Sequence, residues 1–170
     1  GLMLIPISGF EGGHTTVELA KTLGKAFQLT NILRDIGTDL KLNRIYLPRD
    51  ELMRFRLTEA DIEQRCRDDR FHAFMEFQIE RAFLMYREGL RLIPYIKTWG
   101  GRISFQFAAD AYSEIMNKIR QNYYDVYDKR AHLTTFEKIR IIPISICRVL
   151  YSVVKHKLRF VLGKEKHVRP

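Results

Sequence analysis

An all-α domain is predicted by three observations on the 170 residues. Apolar residues recur at spacings of three and four through most of the chain. No stretch alternates apolar and polar residues long enough to make a half-buried strand. With 46% apolar residues the chain has material for one compact domain with its own core, and it is too short for two.

The elements follow in chain order. A helix is expected from Val17 to about Asp39, with Thr15 or Thr16 as its N-cap. The loop "LKLNRIYLP" ends it, and a boundary falls near Leu47 because the residue before a proline avoids the α region. "RDELMRF" reads as a short helix, and Thr58 with Asp61 three residues later resembles a capping box for the next one. Asp61, Asp68 and Asp69 are interleaved with arginines and read as surface. A long helix covers roughly Arg70 to Ile93, with Phe71, Phe74, Phe77 or Ile79, and Leu84 as its apolar stripe, and Pro94 ends or kinks it. "WGGR" reads as a break with Trp99 a packed turn aromatic. Ile103 to Gln121 is helical again, with Phe107, Ala111, Ile115 and Ile119 four apart. The last helix runs from Thr135 to about Leu162 with an interruption near Pro143, which leaves 163–170 as a basic tail.

Charge is unevenly placed. Residues 138–170 hold nine Lys and Arg against Glu165 alone, a net +8; the remaining twenty basic and nineteen acidic residues give the body +1. The last helix therefore combines aliphatic residues with Arg140, Arg148, Lys155, Lys157 and Arg159. Either it lies on an anionic bilayer, or Ile142, Ile146, Val149 and Val153 pack on the body while the charges are solvated. The aromatics are not interleaved with the basic residues as stacking platforms, which argues against nucleic acid. Cys66 and Cys147 are isolated, so neither a zinc site nor a disulfide framework is indicated, and a cytoplasmic setting is the default, with peripheral contact to a membrane through the basic segment. The five histidines share no spacing that suggests a metal.

The stretch "QLTNILRDIGTD" carries the chemistry. At about 100° per residue, Gln28, Asn31, Asp35 and Asp39 fall within an arc of roughly 80°, whereas Leu29, Leu33, Ile36 and Leu40 face another way. Asp35 and Asp39 are one turn apart, roughly 6 Å along the axis, and repel unless a cation lies between them. Mg²⁺ suits such a pair, because it takes one or two carboxylates and completes its octahedron with water and phosphate oxygens. The bland reading of an acidic i, i+4 pair is a solvated face. Gln28 and Asn31 on the same stripe, Arg34 beside it and "NRIYLP" directly after favour a metal-diphosphate site.

"QLTNILRDIGTDLKLNRIYLPRDEL" closely resembles the second aspartate-rich motif and following loop of the phytoene and squalene synthase family, the head-to-head prenyl synthases. The resemblance continues loosely through "LTEADI" and "FMEFQIERAFLMYREG" and returns at "NYYDVYDKRA", where Tyr124 matches the motif tyrosine. It extends from Gly1 to about Leu150. Thr38 stands where the family commonly has an acid, and Asn43 where it has glycine. What the resemblance implies is an isoprenoid synthase-type antiparallel helical bundle whose N-terminal part is missing here, with 1–162 as the C-terminal portion of that domain.

The resemblance also implies an activity: condensation of two prenyl diphosphates through a cyclopropyl diphosphate intermediate, with release of diphosphate, in carotenoid biosynthesis. Geranylgeranyl diphosphate would give phytoene, and farnesyl diphosphate would give squalene or dehydrosqualene. By the same likeness Asp35, Asp39 and Asn31 would hold Mg²⁺ or Mn²⁺. Gln28, Asn31, Arg34 and Arg44 would contact the diphosphate, and Asp35, Asp39 and Tyr124 would act in catalysis. The family's first aspartate-rich motif has no counterpart in the 170 residues, so the expectation is that this chain alone is inactive. The contrasting expectation is a non-catalytic, membrane-associated helical remnant.

Overall fold

The computed structural model describes residues 9–11 and 13–165, with side chains through 159 and at 162. Six α-helices account for most of them: α1 (Gly13–Leu40), α2 (Arg49–Arg54), α3 (Glu59–Glu63), α4 (Asp69–Gly89), α5 (Trp99–Gln121) and α6 (Thr135–Glu165). A 3₁₀ helix, Leu90–Tyr95, continues α4. Among the described residues the extended structure is one isolated bridge, Phe10 to Ile96, so the all-α expectation holds. Residues 166–170 of the expected basic tail lie outside the described residues.

Helix α1 is the centre of the molecule. It lies against α4 along its length and also against α5, while α6 covers α5 and the 3₁₀ helix. Leu23, Ala26 and Leu33 of α1 meet a core completed by Phe71, Phe74, Met75 and Ile79 of α4 and by Met116 and Ile119 of α5. Burying each of the larger side chains contributes about 1.5–3 kcal/mol. The α1–α4 contact is close because Gly89 has no side chain: a Cβ there would lie 2.7 Å from Leu23 Cβ.

Local chemistry explains the helix ends. Asp68, expected as plain surface, is the N-cap of α4, its carboxylate accepting the N–H groups of Arg70 and Phe71. Thr58 and Asp61 form the reciprocal capping box of α3, as the spacing suggested. At α1 the helix begins at Gly13, ahead of the expected Thr15 or Thr16 cap, and the Thr16 hydroxyl donates to the Glu11 carbonyl oxygen at 2.6 Å.

Several expectations are corrected. "WGGR" is the first turn of α5, because the Thr98 hydroxyl accepts the Gly101 N–H and caps the helix ahead of it. Trp99 is 51% exposed, with the Arg102 guanidinium 5.0 Å from its ring centroid, so it is not a packed turn aromatic. Leu84 is exposed and Phe107 and Ala111 are only half-buried. Ile115 and Ile119 are buried as expected, and the buried face of α5 continues through Gln106, Ala109, Asp110 and Met116. Pro143 does not interrupt α6; Ser145, Val149 and Val153 are buried just beyond it and hold the helix on the body. Ile142 and Ile146, the other half of the expected packing face, remain largely exposed.

Candidate functional site

The site is built on the second half of α1 and on the segment that follows α5. Gly37 brings them together. Its N–H donates to the Val126 carbonyl oxygen at 3.2 Å, and a Cβ at this position would lie 2.3 Å from the Tyr127 carbonyl oxygen. A glycine between the two aspartates thus lets the 126–130 segment lie directly on the helix.

That approach delivers Arg130 to Asp35. The Asp35 carboxylate accepts hydrogen bonds from Arg34 at 2.9 and 2.6 Å and from Arg130 Nε at 2.8 Å. Partial burial works against the negative charge, but the two guanidiniums outweigh it and hold the carboxyl below its usual range. Arg34 is correspondingly raised, by its bond to Asp35 against the cost of burial, with Tyr112 adding to the effect.

The other expected residues divide. Asn31 is half-buried, and its Oδ1 is a buried acceptor without a hydrogen-bond partner among the described residues. An orphaned oxygen one turn before Asp35 on the same stripe is what a ligand to a hard cation requires. Gln28 is exposed. Asp39 and Arg44 border one small hollow, and the Arg44 N–H closes the loop onto the Asp39 carbonyl oxygen at 3.0 Å. Tyr124 is directed elsewhere: its hydroxyl donates to Glu76 of α4 at 2.7 Å, and burial together with that carboxylate pushes its pKa up. Tyr123 and Tyr124 both have positive φ, 54° and 57°, and this tight turn sets the ring direction.

Three contributors were not anticipated from the sequence. Arg130 lies in the quoted "DKRA", but nothing local ties it to a carboxylate 95 residues away. Gly37 was visible as a helix-interior glycine, a costly choice without a packing reason. The third is an aromatic wall: Phe27 is edge-on to Tyr86 and Tyr112, with ring centroids 5.5 and 5.0 Å apart, and it shares a face of α1 with Asn31 and Arg34.

The residues fit a divalent cation in donor chemistry, since Asp35, Asp39 and Asn31 offer hard oxygen ligands on one stripe. Among the described residues no group of three Asp, Glu, His or Cys gathers closely enough to hold a metal ion.

Comparison with known proteins identifies the family. The family model of squalene/phytoene synthase matches residues 1–137. The 15-cis-phytoene synthase of Synechococcus elongatus is 38% identical over 162 residues, which are 87% of this chain and 51% of that protein. The phytoene synthase of Thermus thermophilus is 38% identical over 143 residues, 84% of this chain and 48% of that protein. Among solved structures, a dehydrosqualene synthase in complex with ligand superimposes with a TM-score of 0.75 at 29% identity, covering 84% of this chain and 50% of that one. The squalene synthase HpnC of Alicyclobacillus acidocaldarius gives 0.67 at 28%, covering 72% and 46%. The helical architecture is that of these isoprenoid synthases, and the chain spans about half the length of the curated relatives it matches. On the match over residues 1–137 and the likeness of fold, the chain belongs to the squalene/phytoene synthase family.

Proposed function

We propose that the chain carries one of the two metal-diphosphate walls of a head-to-head prenyl synthase, and that the whole protein condenses two prenyl diphosphates. Geranylgeranyl diphosphate to phytoene is the preferred reaction, because phytoene synthases are similar to this chain over 84–87% of its length. The observation that carries the reading is the Arg34–Asp35–Arg130 cluster beside the unpartnered Asn31 oxygen. Asp35, Asp39 and Asn31 would hold Mg²⁺ or Mn²⁺, with Gln28 at the edge. Bound there, the cation would supply charge to a departing diphosphate.

The chain's own residues do the rest. Arg34 and Arg130 orient the carboxylate and bring permanent positive charge to the place where the leaving group gathers negative charge. The half-buried Phe27 and Tyr112, backed by the buried Tyr86, would exclude water and offer π faces to a carbocation. Tyr124, held by Glu76 in this half of the fold, would act in catalysis only on leaving that bond, and Arg44 would be a further diphosphate contact beside Asp39. No helix among the described residues is long and apolar enough to cross a membrane. Contact with a bilayer would then be peripheral, through α6.

The test is to incubate the full-length reading frame with Mg²⁺ and either geranylgeranyl or farnesyl diphosphate, beside an Asp35→Ala variant, and to identify the hydrocarbon by mass. A C40 product lost in the variant supports the phytoene reading. A C30 product moves it to squalene or dehydrosqualene, which the likeness to the two solved structures also fits. No hydrocarbon from a folded protein leaves a non-catalytic remnant. The 170 residues alone, with a single Asp-x-x-x-Asp, are expected to give none.

A further inference from the structure

At the opposite end of α1 from Asp35 lies a cleft of about 440 Å³, bordered by Thr15 and Leu19, by the end of α4 with the 3₁₀ helix, and by α6. Thr15 and Asp35 are twenty residues apart on one helix, roughly 30 Å at 1.5 Å per residue, so the cleft is separate from the diphosphate site. Five basic side chains line it: Arg87, Arg91, Arg148, Lys155 and Arg159; among the described residues the one acid lining it is Glu88. Arg91 pairs with Glu88 at 2.7 Å, and Arg148 pairs with Asp110. Arg87, Lys155 and Arg159 pair with no acid among the described residues, although Lys155 rests 5.3 Å from the Tyr151 ring centroid. Three uncompensated cations converge on one concave surface.

The wall formed by Arg148 and Tyr151 also borders a second hollow, of about 430 Å³, whose other lining residues are Pro143, Ile144 and Cys147. Beyond it the outer face of α6 carries Leu150, Val154 and Leu158 at spacings of four, each about half exposed. Viewed down the helix, the basic stripe of Arg148, Lys155 and Arg159 is offset by roughly 120° from this apolar stripe. Between residues 138 and 164, α6 contains no acid, and Glu137 at its start is tied to Lys118 at 2.7 Å.

We propose that the cleft is a headgroup site for a phosphate-bearing lipid, with the adjoining apolar face of α6 resting in the bilayer surface. The site rests on the peripheral-membrane reading of α6 and gives it a specific ligand. The shared chemistry is a phosphate, and the apolar neighbour selects the source. A free anion would use the cleft alone, whereas a lipid uses the cleft for its headgroup and the hollow across Arg148 and Tyr151 for its glycerol and acyl start. Helices of this type bind through buried apolar area plus attraction to anionic lipid.

The experiment is co-sedimentation of the full-length protein with vesicles of phosphatidylcholine alone and of phosphatidylcholine with phosphatidylglycerol. It uses the wild type, a cleft pair (Arg87→Gln with Arg159→Gln) and a face pair (Leu150→Ser with Val154→Ser), and inorganic diphosphate binding is measured in parallel. Expected is binding to the anionic vesicles, reduced roughly 25-fold in the cleft pair, at about fivefold per charge, and about tenfold in the face pair. Anionic-vesicle binding that the cleft pair retains would overturn the headgroup site and leave the membrane reading standing. Absence of binding to either vesicle would overturn both, as when another part of the full protein covers the α6 face. Diphosphate binding lost in the cleft pair, with vesicle binding intact, would make this a site for a soluble anion and overturn the proposal.

Discussion

Asp35 shows how a residue can be both held and made ready. Two arginines share its carboxylate, Arg34 from the adjacent position and Arg130 from a segment that reaches it across the fold. Arg130 is half exposed, so its bond is worth about 0.2–1 kcal/mol, and its larger effect falls on the charge state. The Asp35 pKa is depressed, so its ion pairs stabilise the fold above the ordinary carboxylate pKa, and the contribution is lost as pH falls through the depressed value. Arg130→Gln removes one of the two cations and raises that pKa towards the ordinary value. The expected result is a carboxyl titration that moves upward in the variant, followed by carbon NMR of Asp35, with a small loss of stability at neutral pH. An unmoved titration would mean that Arg34 alone sets the charge and that Arg130 positions nothing.

At the scale of elements, the contact of α1 with the 126–130 segment depends on one missing side chain. Gly37→Ala would place a Cβ 2.3 Å from the Tyr127 carbonyl oxygen. Backbone must shift to admit it, at about 1–3 kcal/mol, and Arg130 moves away with the segment. Gly24, in the same helix, has nothing within 4 Å of a built Cβ, so Gly24→Ala is expected to stabilise by about 1 kcal/mol through helix propensity alone. Urea unfolding of the two variants checks both signs, and a destabilised Gly24→Ala would show that propensity does not govern this helix. The contrast marks what was legible in the sequence. The four polar residues from Gln28 to Asp39 declared a helical stripe because their spacing is local, and the Thr58 capping box did the same for α3. Periodicity says nothing of which segment lies on that stripe, and so Gly37 and Arg130 were missed. Thr98 was missed as a cap for a related reason: the two glycines of "WGGR" suggested a break, and the hydroxyl ahead of them makes it a helix start.

For the whole molecule the open question of the sequence was how α6 relates to the body, and a buried polar cluster answers it. Asp110 of α5, 8% exposed, accepts hydrogen bonds from Gln106 at 3.1 Å and from Ser145 of α6 at 2.7 Å, and it pairs with Arg148 of α6. The apolar pattern of α6 allowed either face to be covered. The position of Asp110 selects the one that buries Ser145, Val149 and Val153 and turns Leu150, Val154 and Leu158 outward. Asp110→Ala would leave the buried Ser145 hydroxyl without its acceptor and free Arg148 into the cleft. The unmade hydrogen bond costs about 1–3 kcal/mol, and the added cation strengthens attraction to anionic vesicles. Asp110→Asn keeps an acceptor for Ser145 but removes the charge, so it should lose less stability and gain a similar attraction. Measuring unfolding and vesicle partition on both variants separates the two roles. A loss of stability in Asp110→Ala without tighter partition would mean that Arg148 serves only to fasten α6, and that the charge of the proposed lipid site resides in Arg87, Lys155 and Arg159.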